Sequence, residues 1–369
     1  MSPIKVLLDG RSVGQRIDGI GRYVREIGIR FGHVDDVIIK ILCRSDIDTP
    51  FSSTCRVDTT MRYDRHPWTE IWNHLVLPGI IKRSQIDIYH SPAFYSLPIS
   101  PHFKQIVTIH DLGVFHNPQW FPSRFRWLIR RAVRKAIVRA ESIVVDSDAV
   151  RDELETRWPD VAEKISVIKL AADERFSCYV SEQDRNRIRS KHGLRDPYFL
   201  NIGTLEPRKN VPLLLAAYNI LGQKIANCPE LVIAGAYGWG PDPRPCIKKS
   251  GAVYIGSPDD EDLPALYSMA LGFVYPSSYE GFGLPLLEAM SCGVPTITGM
   301  DPACLEVTGG AALTLPLNEE SLFVAMRSLI DNPELGSQLS KAGLTRSKEY
   351  CWNRTLNQLI NHYITVGNR

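Results

Sequence analysis

The chain of 369 residues is long enough for two hydrophobic cores, and its 44% hydrophobic and 23% charged residues are typical of a folded protein. Its formal net charge of +2 gives no general attraction for nucleic acid. The eight cysteines lack a C-x-x-C pair, which argues against a disulfide framework or a zinc site. Since neither a signal peptide nor a bilayer-spanning apolar stretch is evident, we expect a cytoplasmic protein.

Short apolar runs alternate with segments of helical periodicity along the whole chain. Continuous apolar strands separated by helices are typical of parallel sheets covered on both faces. Twelve such strands indicate two doubly wound α/β domains. The predicted strands of the first half are Ile4–Leu8, Val37–Leu42, Ile86–Tyr89, Gln105–Ile109, Ser142–Val145 and Ile165–Ile168. Those of the second half are Tyr198–Ile202, Leu231–Ala234, Ala252–Ile255, Gly272–Tyr275, Thr296–Thr298 and Ala312–Leu315.

A domain boundary is predicted near Asp173–Glu182, where the apolar periodicity lapses before a charged helix. The last segment, Trp352–Tyr363, carries apolar side chains at helical spacing and therefore needs a surface to pack on. In open α/β sheets, ligands bind beyond the carboxyl ends of the strands. The polar and glycine-rich turns that follow the predicted strands are therefore the candidate sites.

In the second half, a glycine-rich turn precedes a helix that is predicted to begin at Leu284, with Pro285 tolerated in its first turn. Gly283 lets a ligand approach the backbone, and helix N-termini favour anions. Glu280 lies just before this turn and Glu288 one turn inside the helix. Carboxylates at such a place can accept hydrogen bonds from sugar hydroxyls, although each glutamate taken alone would be interpreted as a structural, solvated residue.

A second turn of the same half carries two adjacent cations, Arg208 and Lys209, five and six positions after Gly203. Cations at the carboxyl end of a strand suit a diphosphate, because they offset its charge as it leaves. The pair by itself would be interpreted as a solvated turn. Two anion-favouring turns in matching positions of one predicted sheet favour a functional interpretation.

Two stretches of the first half are further candidates. Gly19 and Gly21 belong to a glycine loop that opens a helix, but the G-x-G-x-x-G fingerprint is absent, which disfavours a dinucleotide oxidoreductase. His110 and Asp111 follow a predicted strand. From the sequence alone, the preferred interpretation of His110 is a core residue that caps its own backbone.

The segment Arg124–Arg139 carries seven cations and no acid beside one apolar stripe. It is either a core helix with a basic solvated face or a helix that docks on an anionic membrane, where each basic residue contributes about 1 kcal/mol. A nucleic-acid surface is disfavoured because no aromatic platform accompanies the charge. The predicted apolar stripe consists of Phe125, Leu128, Ile129, Ala132, Val133, Ala136 and Ile137.

The Glu280–Glu288 element resembles the E-x7-E motif of the family-4 retaining glycosyltransferases, and the turn with Arg208 resembles their diphosphate-binding stretch. This resemblance covers nearly all of the second half. It implies the GT-B fold, with two Rossmann-like domains facing across a cleft. The implied domains are 1–175, joined by the final helix 352–369, and 176–351. The stretch before the linker departs from the family pattern because it lacks Pro-Asn-Gly.

The resemblance also implies roles for individual residues. Glu280 would hold hydroxyls of the donor sugar, and Glu288 would hold the ribose. Arg208 and Lys209 would bind the diphosphate. The other implied donor-side positions are Gly19 and Gly21 under the diphosphate, Gly203 beside it, Gly235 and Ile255 near the base, and Phe282, Gly283 and Leu284, whose N–H groups contact sugar and phosphates. His110 would lie near the transferred sugar, with Asp111 as its orienter or as an acceptor contact.

The implied reaction is transfer of a hexosyl group from a nucleotide diphosphate sugar to an acceptor hydroxyl with retention and without a metal or other cofactor. The first-half stretch containing Gly19, Gly21 and Tyr23 resembles bacterial mannosyltransferases of surface-polysaccharide assembly. GDP-mannose is therefore the preferred donor, and a glycan or polyprenyl-linked glycan at the inner membrane face the preferred acceptor. A GT-B-type sugar-nucleotide epimerase and a non-catalytic nucleotide-sugar-binding scaffold remain alternatives, and the oligomeric state is not indicated.

Overall fold

The computed structural model describes residues 2–13, 19–31, 35–46, 49–52, 55–59, 67–93, 98 and 103–369, without the side chains of residues 67–70 and 125. They form two compact units. The first unit comprises Met1–Leu112, Arg124–Lys169 and Trp352–Arg369, and the second comprises Gly113–Ser123 and Leu170–Cys351. The domains expected from the sequence differ from these units at Gly113–Ser123 and at residues 170–175.

The first unit is built on a seven-stranded parallel sheet in the order β3-β2-β1-β4-β5-β6-β7. Its strands are mostly runs of Val, Ile and Leu, so both faces of the sheet are buried under helices. The strands are β1 (Ile4–Asp9), β2 (Val37–Arg44), β3 (Arg56–Thr59), β4 (Ile88–Ser91), β5 (Lys104–Ile109), β6 (Ser142–Val145) and β7 (Ile165–Val167).

The second unit repeats this plan with six parallel strands in the order β10-β9-β8-β11-β12-β13. In both sheets the first strand of the unit lies in the interior, and the chain winds outward from it first to one side and then to the other. The strands are β8 (Tyr198–Ile202), β9 (Glu230–Ala234), β10 (Val253–Tyr254), β11 (Gly272–Tyr275), β12 (Thr296–Thr298) and β13 (Leu313–Thr314).

Helices connect the parallel strands, and side-chain caps fix several of their beginnings. Ser147, Asp301 and Asn318 each accept a backbone N–H at a helix start. The helices are α1 (Gly19–Arg30), α2 (Pro67–Leu75), α3 (Leu77–Arg83), α4 (Gly113–His116), α5 (Ser123–Arg139), α6 (Asp148–Arg157), α7 (Glu182–His192), α8 (Val211–Lys224), α9 (Arg244–Ser250), α10 (Leu263–Ser268), α11 (Leu284–Ser291), α12 (Pro302–Thr308), α13 (Glu319–Asp331), α14 (Pro333–Ser347) and α15 (Trp352–Asn368).

The C-terminal helix α15 packs in the first unit, whereas the residues that precede it in the chain belong to the second unit. It buries Trp352, Leu359 and Tyr363, which the helical spacing had indicated as a packing stripe. Polar contacts fix the docking, because the Lys104 ammonium donates to Val366 O at 2.8 Å and Thr355 Oγ1 donates to Lys169 O at 2.7 Å.

All twelve predicted strands are present, and the described part of the chain contains one more, β3. Its residues, Arg56–Thr59, include a single aliphatic side chain and form an edge strand, so the sequence has no apolar run that would predict β3. The predicted stripe of α5 is wrong at Leu128, which is 52% exposed, whereas Ile129, Val133 and Ile137 are buried as predicted.

Candidate functional site

The switch point of the second sheet lies between β8 and β11. These strands are neighbours, and from β8 the sheet continues to β9 and β10 on one side and to β11, β12 and β13 on the other. In doubly wound sheets this is where the loops separate and leave a crevice for a ligand. The loop after β8 carries Arg208 and Lys209, and the loop after β11 carries Glu280.

A buried ionic cluster joins these two loops. The Lys209 ammonium donates to Glu280 Oε1 at 2.5 Å, and the Arg208 guanidinium donates to Glu280 Oε2 at 2.9 Å. The hydroxyl of Tyr275, the last residue of β11, donates to Glu280 Oε1 at 2.9 Å and accepts from Lys209 at 2.5 Å. Glu280 is only 7% exposed, so the structure brings three of the residues expected from the sequence into one contact set.

The cluster keeps Glu280 ionised. Burial alone would raise the pKa of this carboxyl group, but the positive charges of Arg208 and Lys209 outweigh burial and lower its pKa to about 2. Burial and the neighbouring Glu280 charge raise the pKa of Tyr275 well above its usual value, so its hydroxyl stays a hydrogen-bond donor. Tyr275 is a site residue that the sequence analysis missed, because a tyrosine ending a strand resembles any core aromatic.

Further hydrogen bonds join the loop after β8 to the loop after β11. Ser278 N donates to Arg208 O at 2.8 Å, and Asn210 Nδ2 donates to Ser278 Oγ at 2.5 Å. Glu206 pairs with Arg208 Nε at 2.7 Å. Asn210 adopts a left-handed backbone conformation, with φ of 51°. Arg208 is therefore held from both loops, which preorganises a cation at the switch point.

Glycines bring the neighbouring strand ends close together. The Gly235 backbone has φ of +144°, and a Cβ at this position would lie 1.9 Å from Gly203 O. Gly235 N donates to Gly256 O at 2.6 Å, and Ile255 N donates to Ile233 O. Gly203, Gly235 and Ile255 therefore lie at the ends of β8, β9 and β10, on the same edge as the charged cluster, as the sequence analysis expected. Their contacts to a nucleotide stay predictions.

The turn before α11 has the geometry of an anion site. Gly283 is left-handed, with φ of 94°, and as the N-cap residue it gives no side-chain hydrogen bond to the first turn, which begins at Leu284. Phe282 is buried. Glu288 is 2% exposed and accepts a hydrogen bond from the Tyr267 hydroxyl at 3.0 Å. The expected ribose contact of Glu288 stays a prediction.

An aromatic cluster flanks the charged residues. Segment Gly113–Ser123 belongs to the second unit, and its His116 ring stacks on Tyr279, the neighbour of Glu280, with centroids 4.6 Å apart. The rings of Trp120 and His116 are also stacked, at 5.8 Å. Trp239 Nε1 donates to Trp120 O at 2.6 Å. The sequence analysis did not include these rings, because a segment between His110 and the basic helix gives no sign of joining the second unit.

In the first unit, His110 lies at the carboxyl end of β5 and is 22% exposed. Its Nδ1 is 2.5 Å from Asp146 Oδ2 and its Nε2 is 2.8 Å from Pro92 O. Asp111 is partly buried beside it. The expected contacts of His110 with a sugar and of Asp111 with an acceptor stay predictions.

Gly19 and Gly21 form the first turn of α1, with Gly21 buried, and the preceding loop residues 14–18 lie outside the described part of the chain. Their expected place under a diphosphate stays a prediction. Within the described ranges, no three His, Cys, Asp or Glu side chains are grouped to hold a metal ion, and no helix is both long and apolar enough to cross a bilayer.

Comparison with family models gives two matches that together span most of the chain. The model described as Glycosyltransferase Family 4 matches residues 17–176, and the model described as Glycosyl transferases group 1 matches residues 182–346. The second match contains both loops of the charged cluster. It also ends before α15.

The chain is 35% identical to O-antigen chain mannosyltransferase B of Escherichia coli, over 75% of this chain and 74% of that protein. Among solved structures, WaaG, a glycosyltransferase involved in lipopolysaccharide biosynthesis, is similar with a TM-score of 0.73 at 14% identity, covering 98% and 99% of the two chains. Anabaena HepE in complex with UDP-glucose is similar with a TM-score of 0.73 at 16% identity and the same coverage. At these identities the structural likeness shows a shared fold.

Proposed function

Because this chain belongs to the family-4 glycosyltransferases and has their GT-B fold, we propose that it transfers a mannosyl group from GDP-mannose to a hydroxyl of a glycan or polyprenyl-linked glycan, with retention. The observation that carries this proposal is the buried cluster in which Arg208 and Lys209 hold Glu280 at the switch point of the second sheet. That cluster combines cations for a diphosphate with a carboxylate for hydroxyl groups.

The choice of mannose rests on the relative named a mannosyltransferase, which is 35% identical to this chain. HepE binds UDP-glucose, so proteins of this fold accept nucleotide sugars, but its identity of 16% gives no guide to the base or the sugar here. A mannosyl donor also accords with the first-half stretch around Gly19 that resembles bacterial mannosyltransferases of surface-polysaccharide assembly.

In the proposed reaction the bond between the sugar C1 and the diphosphate oxygen breaks while a bond from C1 to the acceptor oxygen forms on the same face. The acceptor O–H proton passes to the departing diphosphate. Arg208 and Lys209 would offset the charge that develops on the leaving group, at a site already desolvated and ordered. We propose on this ground that these two side chains take the role that a metal ion has in other transferases.

Binding of the donor would rearrange the charged cluster. Both Glu280 oxygens are occupied by Lys209, Arg208 and Tyr275 in the structure. A diphosphate would attract the two cations, and the sugar hydroxyls would then donate to Glu280 in their place. The ionised state of Glu280 suits this exchange, because a carboxylate accepts hydrogen bonds and has no proton to offer.

The two alternatives are disfavoured by different observations. An epimerase would need acid and base groups acting on the donor sugar without an acceptor, whereas the 35% identical relative is named for transfer to a chain. A non-catalytic scaffold is disfavoured because both family models that match the chain are described as glycosyltransferases.

We also propose that the protein works as a peripheral protein on the inner membrane face and docks through α5. Trp127 is 65% exposed, and Leu128 and Val138 are exposed as well, beside the cations of the same helix. Arg131 lies 5.4 Å from the Trp127 ring centroid. Cations with interleaved apolar side chains suit the interface of an anionic bilayer.

A transfer assay tests the proposed function. The protein is incubated, with a chelator present, with GDP-mannose, GDP-fucose, UDP-glucose or UDP-galactose and with glycan and polyprenyl-linked glycan acceptors, and products are separated by mass. The proposal predicts a mannosylated product from GDP-mannose, whose α linkage is then read by NMR. Transfer from another donor alone would refute GDP-mannose as the donor. A β linkage would refute retention, and a strict need for a divalent metal would refute the proposed role of Arg208 and Lys209.

A further inference from the structure

Three polar groups of the first unit meet at the carboxyl ends of three adjacent strands. Pro92 directly follows β4, His110 follows β5 and Asp146 follows β6. His110 Nδ1 lies 2.5 Å from Asp146 Oδ2, and its Nε2 lies 2.8 Å from Pro92 O. Both ring nitrogens of His110 therefore have a partner on a neighbouring strand end.

The chemistry of these two partners fixes the protons on the ring. A peptide carbonyl accepts hydrogen bonds and never donates one, so Nε2 of His110 must carry a proton. An ionised Asp146 is likewise only an acceptor, so Nδ1 must carry a second proton. A ring with both nitrogens protonated is an imidazolium cation.

The alternative is a neutral ring that accepts a proton shared from a protonated Asp146. It is disfavoured because a free imidazole holds its proton to a pH about 2.6 units higher than a free aspartic acid does. Among the described residues, the other groups that face His110 do not reverse this order. Asp111 adds negative charge, while burial lowers the pKa of His90 to about 3 and raises the pKa of Tyr23, so both stay neutral.

The surroundings as a whole favour the charged ring. Burial alone would lower the pKa of His110, but the charge and hydrogen bond of Asp146 outweigh it, and the pKa is raised. The edge of the Tyr23 ring packs against the imidazole, with centroids 5.2 Å apart. Asp146 is 3% exposed, and its Oδ1 has no hydrogen-bond partner among the described residues, so its charge is directed at His110.

We infer that Asp146 is a positioning residue that holds His110 as a fixed imidazolium, so that His110 serves as a fixed positive charge and not as a general base. The role in transfer rests on the proposed function, while the protonation state does not. A ring that is already protonated cannot take the acceptor proton, which accords with the transfer of that proton to the departing diphosphate oxygen in the proposed reaction.

The variant Asp146→Asn separates charge from packing. Asparagine has nearly the same shape, and its side-chain oxygen can still accept from His110 Nδ1, but it carries no charge. If the pair only ties β5 to β6, this variant leaves the ring's titration unchanged. If Asp146 holds the imidazolium, the pKa of His110 falls. Asp148→Asn is the matched control, because Asp148 is two residues away and pairs with Arg151 instead.

Nitrogen NMR of the histidine side chains measures this directly, with His110→Gln used to assign the ring. We expect both His110 nitrogens to be protonated at pH 7 and the ring to titrate above the pKa of about 6.5 of a free histidine. Asp146→Asn is expected to lower the His110 pKa by at least about one unit, and Asp148→Asn to leave it unchanged. A neutral ring at pH 6 in the native protein, or an unchanged titration in Asp146→Asn, would overturn the inference.

The pH dependence of kcat/KM gives the second readout. Native kcat/KM is expected to fall as the pH rises through the His110 pKa, and in Asp146→Asn this fall moves to lower pH. A purely structural role would instead lower the rate equally at every pH. If no nucleotide sugar is a substrate, the proposed function fails, while the NMR titration still decides the state of His110.

Discussion

The Lys209 ammonium and the Glu280 carboxylate form a 2.5 Å ion pair that joins the loops after β8 and β11, two strands separated by more than sixty residues of sequence. Arg208 completes the pair from the other oxygen. Because all three side chains are mostly withdrawn from water, each depends on the others for a counter-charge. Predictions about stability, pH and donor binding follow from this dependence.

Replacing Glu280 with Gln removes the carboxylate that pairs with Lys209 and Arg208, and leaves Arg208 with Glu206 as a partner. Breaking one partner of a buried ion pair costs about 3 kcal/mol, so we expect a clear loss in the free energy of unfolding. Chemical denaturation measures it. Glu320→Gln, an exposed carboxylate at the start of α13, is the control and should change stability by less than about 0.5 kcal/mol. Equal stabilities of the two variants would contradict the structure of the cluster.

The low pKa of Glu280 predicts how stability depends on pH. The folded pKa is about 2 and the ordinary value is 4.5, so the stabilisation from this carboxylate is fully present above about pH 4.5. It is lost as the pH falls from there toward 2. The stability difference between the native protein and Glu280→Gln should therefore shrink over this window. A difference that grows on acidification would show that Glu280 is not held by cations.

The stack of His116 on Tyr279 predicts an effect of the N-terminal half on donor use. His116→Ala removes the ring that supports the neighbour of Glu280 and should raise the donor KM about fivefold, since such ring pairs are worth about 1 kcal/mol. His116→Phe keeps a ring and should restore the KM. Gln119→Ala changes an exposed residue of the same segment and serves as the control. If the donor KM is the same in all three variants, the His116 ring does not support donor binding through Tyr279.

Docking through α5 predicts a charge-dependent membrane affinity. Arg131→Glu should lower co-sedimentation with vesicles of anionic lipid by at least about fivefold, because each basic residue contributes about 1 kcal/mol. Arg354→Glu makes the same charge change on α15 and should have little effect. Binding should weaken as salt is added. Binding that ignores both lipid charge and salt would exclude electrostatic docking.

The sequence predicted the fold well because parallel, doubly covered strands are apolar along their whole length, a signal that survives without tertiary context. The exception, β3, is an edge strand with little apolar area. The loops that carry Arg208 and Glu280 were also predicted, because glycines and charged residues directly after a predicted strand can be recognised in the sequence.

What the sequence could not show are the partnerships between distant residues. Nothing in the chain indicates that Asp146 pairs with His110 or that Tyr275 completes the Glu280 cluster, since each occupies an ordinary position next to a buried strand. Gly113–Ser123 similarly belongs to the second unit through the packing of its rings around Tyr279, which the spacing of apolar residues in the sequence does not predict.

Calorimetric titration of GDP-mannose, with a chelator present, into the native protein and into Arg208→Ala tests the central claim most directly. We expect the native protein to bind GDP-mannose more tightly than UDP-glucose, and Arg208→Ala to lose at least about tenfold in affinity, since it lacks one charge-assisted contact to the diphosphate. Absence of binding by any nucleotide sugar, or equal affinity in Arg208→Ala, would contradict a donor site built on the Arg208, Lys209 and Glu280 cluster.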